Sequence, residues 1–191
     1  MRQSVLRTLG TLEVPKYAVK KSEYQITRLP EVIKTWCWNK AKKVAKRQVL
    51  NIGESFSIPI PPLLRKWQGE NSLNHYNAMT IEIYDGPNAR IGWHKNSMKG
   101  ASYEYITMCS FALENKDLGE VLCDMEFEKM LPPIRIRDST CITFDADTHN
   151  KMGIRHRVDT HFHGRMNIIL YKIMPKNGGV VISFACNTVK S

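Results

Sequence analysis

"YNAMTIEIYDGPNARIGWHKN", residues 76–96, decides how the rest of the chain reads. "AMTIEIY" is a strand-like piece of apolar and β-branched residues. Asp85-Gly86-Pro87-Asn88 is good turn chemistry, and His94 follows it at the end of "GPNARIGW". The same grammar continues downstream in "YEYITMCSFAL", "EVLCDMEF", "IRIR", "CITFDA", "RMNIILYKI" and "VVISFA", with turn signals such as Asn177-Gly178-Gly179 between them. Seven such pieces in roughly 110 residues predict an all-β sandwich or barrel.

Upstream the character is mixed. Residues 10–29 hold "LEVPKYAVKK" and "EYQITRL", which predict one or two strands. "LPEVIKTWCWNKAKKVAKRQVL" predicts a helix starting near Pro30, because proline fits a first helical turn. Val32, Ile33, Trp36, Val44 and Val49 would line its apolar side and the lysines its wet side. "IPIPPLLRKWQGE" starts extended and predicts a short helix around Leu63–Trp67. The expected organisation is a strand/helix extension over 1–75 and a β core over 76–191.

The chain has 191 residues, 42% hydrophobic and 24% charged, which suits one folded domain. No run of about 18 apolar residues predicts a membrane helix. "MRQSVLRTLG" lacks the apolar stretch of a secretory signal. The five cysteines are scattered without a CxxC, the pattern of reduced thiols in an intracellular compartment, cytoplasmic or nuclear. The net charge is +10, and Lys40, Lys42, Lys43, Lys46 and Arg47 form the densest basic stretch. Phosphates attract such surfaces and release counterions, so nucleic acid is the expected partner.

The chemistry-bearing residues are His94, then His156 in "GIRHRV", then Arg165 in "GRMNIIL". Two His from separate strands can converge at a barrel mouth, where small-ligand sites lie. Imidazole suits divalent iron, and two His with one carboxylate leave coordination positions open for an oxo-acid and O₂. An Arg nearby would grip the acid's far carboxylate through a forked contact. A rival zinc reading starts from His161-Phe162-His163, with His149 and His156 close by, but no Cys or Glu stands at familiar zinc spacing.

The flanks of these residues resemble the AlkB family of Fe(II)- and 2-oxoglutarate-dependent oxygenases. Tyr76-Asn77, Tyr84 and Trp93-His94 follow that family's spacing, "IRHRV" is similar to its second metal His, and "GRMNIIL" to its Arg-x-Asn strand. The resemblance spans about residues 75–173. It implies an α+β, mainly β, fold with a double-stranded β-helix (jelly-roll) core and an N-terminal strand/helix extension. It implies Fe(II) on His94, His156 and the residue at position 96, and 2-oxoglutarate on Tyr84 and Arg165 with Asn167 beside them and Tyr171 at the place of the family's second Arg. It implies oxidative dealkylation of a nucleic-acid base, flipped or single-stranded because a stacked base is out of reach. The basic stretch over 30–70 would grip the strand with Lys42, Lys43, Lys46 and Arg47. Trp38, Trp67 or Tyr76 would stack on a base.

The sequence departs from the family at three places. The third metal ligand, an Asp there, is Asn96. The Asn two residues before Tyr84 is Glu82. The second Arg is Tyr171. An amide lacks the negative charge that divalent cations prefer, and a working site would draw it from Glu82, Glu104 or the co-substrate. Besides a working dealkylase, the departures leave open a nucleic-acid-binding or structural subunit with a weakened site. An oxygenase acting on 5-methylpyrimidines or a protein side chain also remains open.

Overall fold

A computed structural model describes residues 24–86, 89–95, 101–102, 105–114, 120–128, 133–145, 155–160 and 164–175. In chain order the elements are β1 (Tyr24–Gln25), α1 (Glu31–Lys40), β2 (Lys42–Val44), β3 (Arg47–Gly53), α2 (Pro62–Glu70), β4 (Ala78–Tyr84) and β5 (Ile91–His94). There follow β6 (Ala101–Ser102), β7 (Tyr105–Ala112), β8 (Val121–Phe127), β9 (Ile134–Arg137) and β10 (Thr140–Asp145). β11 (His156–Thr160), β12 (Arg165–Tyr171) and β13 (Met174–Pro175) complete the described elements.

A seven-stranded sheet runs β1-β10-β7-β12-β4-β3-β2, and a four-stranded sheet runs β5-β11-β8-β9. All their pairings are antiparallel. One apolar core joins Ile106, Met108 and Ile169 of the large sheet to Met125, Phe127 and Val158 of the small one. A second core lies on the large sheet's other face, where Ile81, Ile83 and Ile168 meet Ile33 and Cys37 of α1 and Leu64 and Trp67 of α2. Period-2 alternation sorts the side chains: on β4, Met79, Ile81 and Ile83 join the helix layer, and Ala78 and Tyr84 face the small sheet. β12 is central and buried along its whole length, as expected of a strand covered on both faces.

Asn77 ties the two central strands together at one end. Its Oδ1 accepts from the Ile173 N–H at 2.8 Å, and its Nδ2 donates to the Ile173 carbonyl at 3.0 Å. Gly53 crosses close beside it with φ +108°, and a Cβ there would lie 2.4 Å from the Asn77 carbonyl oxygen, so only glycine fits. The Tyr76-Asn77 pair is therefore structural: Tyr76 is buried, with its hydroxyl bonded to that of Thr107.

Several expectations hold. The pieces "AMTIEIY", "IRIR" and "RMNIILY" are strands β4, β9 and β12, and the short helix after Pro61 is α2. "VVISFA" and most of residues 10–29 lie outside the described residues.

The long helix over 29–50 is corrected: α1 stops at Lys40, and residues 42–53 form the β2–β3 hairpin. Lys40, Lys42, Lys43 and Lys46 would stack like charges at helical i,i+3 and i,i+4 spacing. Pairing β3 with β4 instead buries Leu50 and Ile52. Val44, expected on the apolar side, is 39% exposed, and Val32 is 61% exposed. Among the described residues, no helix is long and apolar enough to cross a membrane.

The thiol expectation is corrected as well. Cys109 and Cys141 face each other in register on β7 and β10 and form a disulfide. Cys37 and Cys123 are buried and outside that disulfide, and Cys186 lies outside the described residues. The step from reduced thiols to a compartment loses its ground at the bonded pair. Burial pushes the Cys37 thiol up to about 12. Native protein at pH about 8 is therefore expected to leave Cys37 unlabelled by iodoacetamide, with labelling on denaturation; peptide mass spectrometry reads both states.

Candidate metal centre

The two histidines meet because β5 and β11 are paired. His94, the last residue of β5, stands opposite His156, the first residue of β11. Their ring centres are 4.2 Å apart, tilted by 57°. The His94 Nδ1 lies 2.8 Å from the Gly92 carbonyl oxygen, which can only accept. The proton therefore sits on Nδ1, and the Nε2 lone pair is left for a ligand. This is the backbone device that orients metal-binding imidazoles. Phe127 of β8 packs beside His156 with ring centres 5.6 Å apart.

The opposite face of the same three strands carries a clasp. Arg157 lies over Trp93 at 5.0 Å and donates to both carboxylate oxygens of Glu126, at 2.9 and 2.8 Å. By alternation, Trp93, Glu126 and Arg157 hold the strands together while His94, Phe127 and His156 point to the other side.

Glu82, Ile91, His94, Ile106, Met108, Met125, His156, Val158, Asn167 and Ile169 wall a pocket between the two sheets. It leaves about 10 Å³ for the centre of a water-sized sphere, room for one ion or one water. A larger guest would have to displace side chains, and Met108 and Met125 are the adaptable part of the wall.

Arg165 opens β12, paired with Tyr84 on one side and Ala112 on the other. It is fully buried. Its guanidinium lies over the Tyr84 ring at 4.2 Å, and its Nη1 donates to Cys123 of the small sheet. Its Nε and Nη2 meet no hydrogen-bond partner among the described residues. A buried cation with an unsatisfied fork is costly unless an anion completes it. Carboxylates and phosphates are the anions that match such a fork.

Tyr84 donates its hydroxyl to Glu82 at 2.6 Å, and Glu82 also accepts from Arg47 Nε at 3.1 Å. Burial, and next the Glu82 charge, push the Tyr84 phenol well above its usual range, so it stays a donor. Burial is also the main cause holding His94 below its usual 6.5, which keeps its imidazole neutral and able to ligate.

His94 also has a stability consequence. The folded state binds this proton less readily than the unfolded state. Stability is therefore present above pH about 6.5 and is lost as pH falls through the lower folded value. Urea midpoints in chelator-treated protein are expected to drop between pH about 7 and about 5. His94→Asn should flatten that part of the curve; an unchanged curve would contradict the assignment.

Of the residues expected at the site, the fold gathers His94, His156 and Asn167 around one pocket, with Tyr84 bonded to Glu82 in its wall. Asn167 is held by Ser110, whose hydroxyl donates to it at 2.9 Å. Tyr171 shares the strand face but packs in the apolar core six positions from Arg165, and is not part of the pocket wall. Asn96 lies outside the described residues, as do His149, His161 and His163.

Three residues expected to meet nucleic acid are instead buried. Arg47 is paired with Glu82, Trp67 packs against Phe111 and donates to the Thr27 carbonyl, and Tyr76 bonds Thr107. Each is 8% exposed or less, so none can face a strand from this position. Lys42, Lys43 and Lys46 are exposed, and Trp38 is 38% exposed.

Sequence reasoning missed Arg47 and Cys123 as neighbours of the site. Arg47 lies 35 residues from Glu82, and no periodicity links them. Glu82 itself did carry a signal: a lone carboxylate in an apolar strand.

No family model matches the sequence, and no curated protein matches it. Among solved structures, the chain is similar to a prolyl-4-hydroxylase from Pseudomonas putida, with TM-score 0.50 and 8% identity over 83% of this chain and 95% of that one. A 2OG-Fe(II) oxygenase family oxidoreductase from Burkholderia pseudomallei gives TM-score 0.49 and 14% identity over 73% and 76%. At 8% identity the likeness to the hydroxylase concerns the fold alone. The mainly β, jelly-roll architecture expected from the sequence is thus the fold of this chain, with the histidine pair between its two facing sheets.

Proposed function

We propose that this protein is a Fe(II)- and 2-oxoglutarate-dependent oxygenase that removes alkyl groups from nucleic-acid bases. Its main support is the meeting of His94 and His156, 4.2 Å between ring centres, in a pocket that they share. The donor set fits a divalent cation: one imidazole has its tautomer set by a backbone carbonyl, and a second ring stands beside it. Arg165 fits a carboxylate, because the two donors it leaves unpaired among the described residues form a buried fork. When bound, iron and 2-oxoglutarate supply O₂-dependent hydroxylation of a carbon next to nitrogen, after which the N-alkyl group leaves as an aldehyde.

The chain's own residues bind and orient. His94 and His156 hold the cation. Arg165 receives the acid's far carboxylate from its place over the Tyr84 ring, whose hydroxyl is already given to Glu82. Ile91, Met125 and Val158 keep water from the pocket. No side chain is required to move a proton to substrate.

Nucleic acid as substrate is supported by the +10 charge and by the exposed lysines of the β2–β3 hairpin. β3 pairs with β4 through Gln48–Ile83 and Val49–Glu82, so the hairpin tip lies toward the Tyr84 end of that strand. Lys42, Lys43 and Lys46 thus sit toward the end of the sheet where Arg165 enters.

Anaerobic protein loaded with Fe(II) and 2-oxoglutarate is expected to develop a visible metal-to-ligand band. Succinate should then form with a methylated oligonucleotide. No band would overturn the oxygenase reading. A band with succinate only from 5-methylpyrimidine or protein substrates would overturn the dealkylase reading. The tight pocket favours a second reading, a nucleic-acid-binding subunit without turnover; oligonucleotide binding with no band selects it.

A further inference from the structure

Position 96 holds Asn where the resemblance places a carboxylate. Two neutral imidazoles and an amide would leave a divalent cation without a negative ligand, which such ions disfavour. Among the described residues, no three His, Cys, Asp or Glu side chains already stand grouped at ligating distance.

One carboxylate nevertheless lines the same pocket as both histidines. Glu82 rises from β4 into the space between the sheets and is 7% exposed. One of its oxygens accepts from Tyr84 at 2.6 Å and the other from Arg47 at 3.1 Å. Each carboxylate oxygen has a second lone pair, so two contacts do not exhaust it. A buried ion pair adds little to stability compared with apolar side chains of the same volume. Its presence in an otherwise apolar strand therefore calls for another reason.

We infer that Glu82 is the anionic ligand of the His94–His156 cation site, taking the part that position 96 cannot. Arg47 is its counter-ion: it holds the carboxylate beside the pocket, and a divalent cation competes with it for that charge. Tyr84 fixes the second oxygen and links Glu82 to Arg165. The inference rests on the two-histidine site proposed above.

Calorimetric titration of the full chain with Mn(II) alone, without oxo-acid or substrate, tests it. Glu82→Gln is expected to weaken binding by about tenfold or more, the size of effect seen when groups close to a bound metal are removed. Asn96→Ala is expected to change it less than about threefold. Arg47→Gln, which removes the competitor, is expected to bind as well as the parent or tighter. A role confined to folding would instead weaken binding in both Arg47→Gln and Glu82→Gln.

If Glu82→Gln fails to fold, the double variant Arg47→Gln/Glu82→Gln removes both buried charges and takes its place. Binding by the Glu82 variant within about threefold of the parent overturns the inference, as does a larger loss in Asn96→Ala than in Glu82→Gln. His94→Ala and His156→Ala are the separate control. Unchanged Mn(II) binding in either overturns the two-histidine site itself; loss in both with no loss in Glu82→Gln overturns only the role of Glu82.

Discussion

His156→Ala should weaken Mn(II) or Fe(II) binding about a hundredfold. Four-ligand zinc sites gain about 10–16 kcal/mol, so one protein ligand carries about 3 kcal/mol, which is about two decades of affinity. The loss should be seen at His94 as well, since the two rings face each other across one pair of strands. The two variants should differ in folding cost. His156 is 3% exposed and packs on Phe127, whereas His94 is only half-buried at the end of β5. His156→Ala therefore leaves the larger cavity and should have the lower melting temperature. Calorimetry with each metal and a thermal melt on the same samples check both statements. Metal affinity within threefold of the parent in either variant would remove the site.

Arg165→Met should move stability and binding in opposite directions. The guanidinium is fully buried with two donors unpaired among the described residues, so its desolvation is only partly compensated there. Replacing a buried charge by an apolar side chain of similar volume is often neutral or stabilising by about 1–4 kcal/mol. In a chain of this size each kcal/mol moves the melting temperature by about 2–4 °C. The same change removes the fork expected to hold the oxo-acid's far carboxylate. Affinity for 2-oxoglutarate in the metal-loaded protein should fall about a hundredfold, as expected when one member of a buried charge-assisted pair is deleted. A melting temperature that falls by several degrees would mean that Arg165 is a structural cation already satisfied by Cys123 and Tyr84. Unchanged 2-oxoglutarate binding would mean the same.

Much of the β core was legible because a strand writes its environment into the sequence at period 2. "RMNIILY" alternates two sets that the fold separates into two layers: Arg165, Asn167, Ile169 and Tyr171 toward the small sheet, Met166, Ile168 and Leu170 toward the helices. The N-terminal part was harder. Residues 41–50 have helical composition yet pair as strands, because β4 offers an open edge and a buried place for Leu50 and Ile52. Local propensity was overridden by a partner more than thirty residues away. The basic residues there are unequally placed. Lys42, Lys43 and Lys46 are exposed, and Arg47 turns inward to a carboxylate.

Residue types and their order by themselves determined the class of fold and the faces of its strands, because alternation and turn chemistry are local properties of the chain; the candidate ligands were named by the resemblance of their flanks to a known family. Only the tertiary structure decided which of those residues meet. That His94 stands across from His156, that Arg47 faces Glu82, and that Arg165 keeps two donors unpaired among the described residues all follow from strand register and from the packing of one sheet on another. Register is set by contacts summed over whole strands between distant parts of the chain, and such contacts leave no periodic trace in any single stretch.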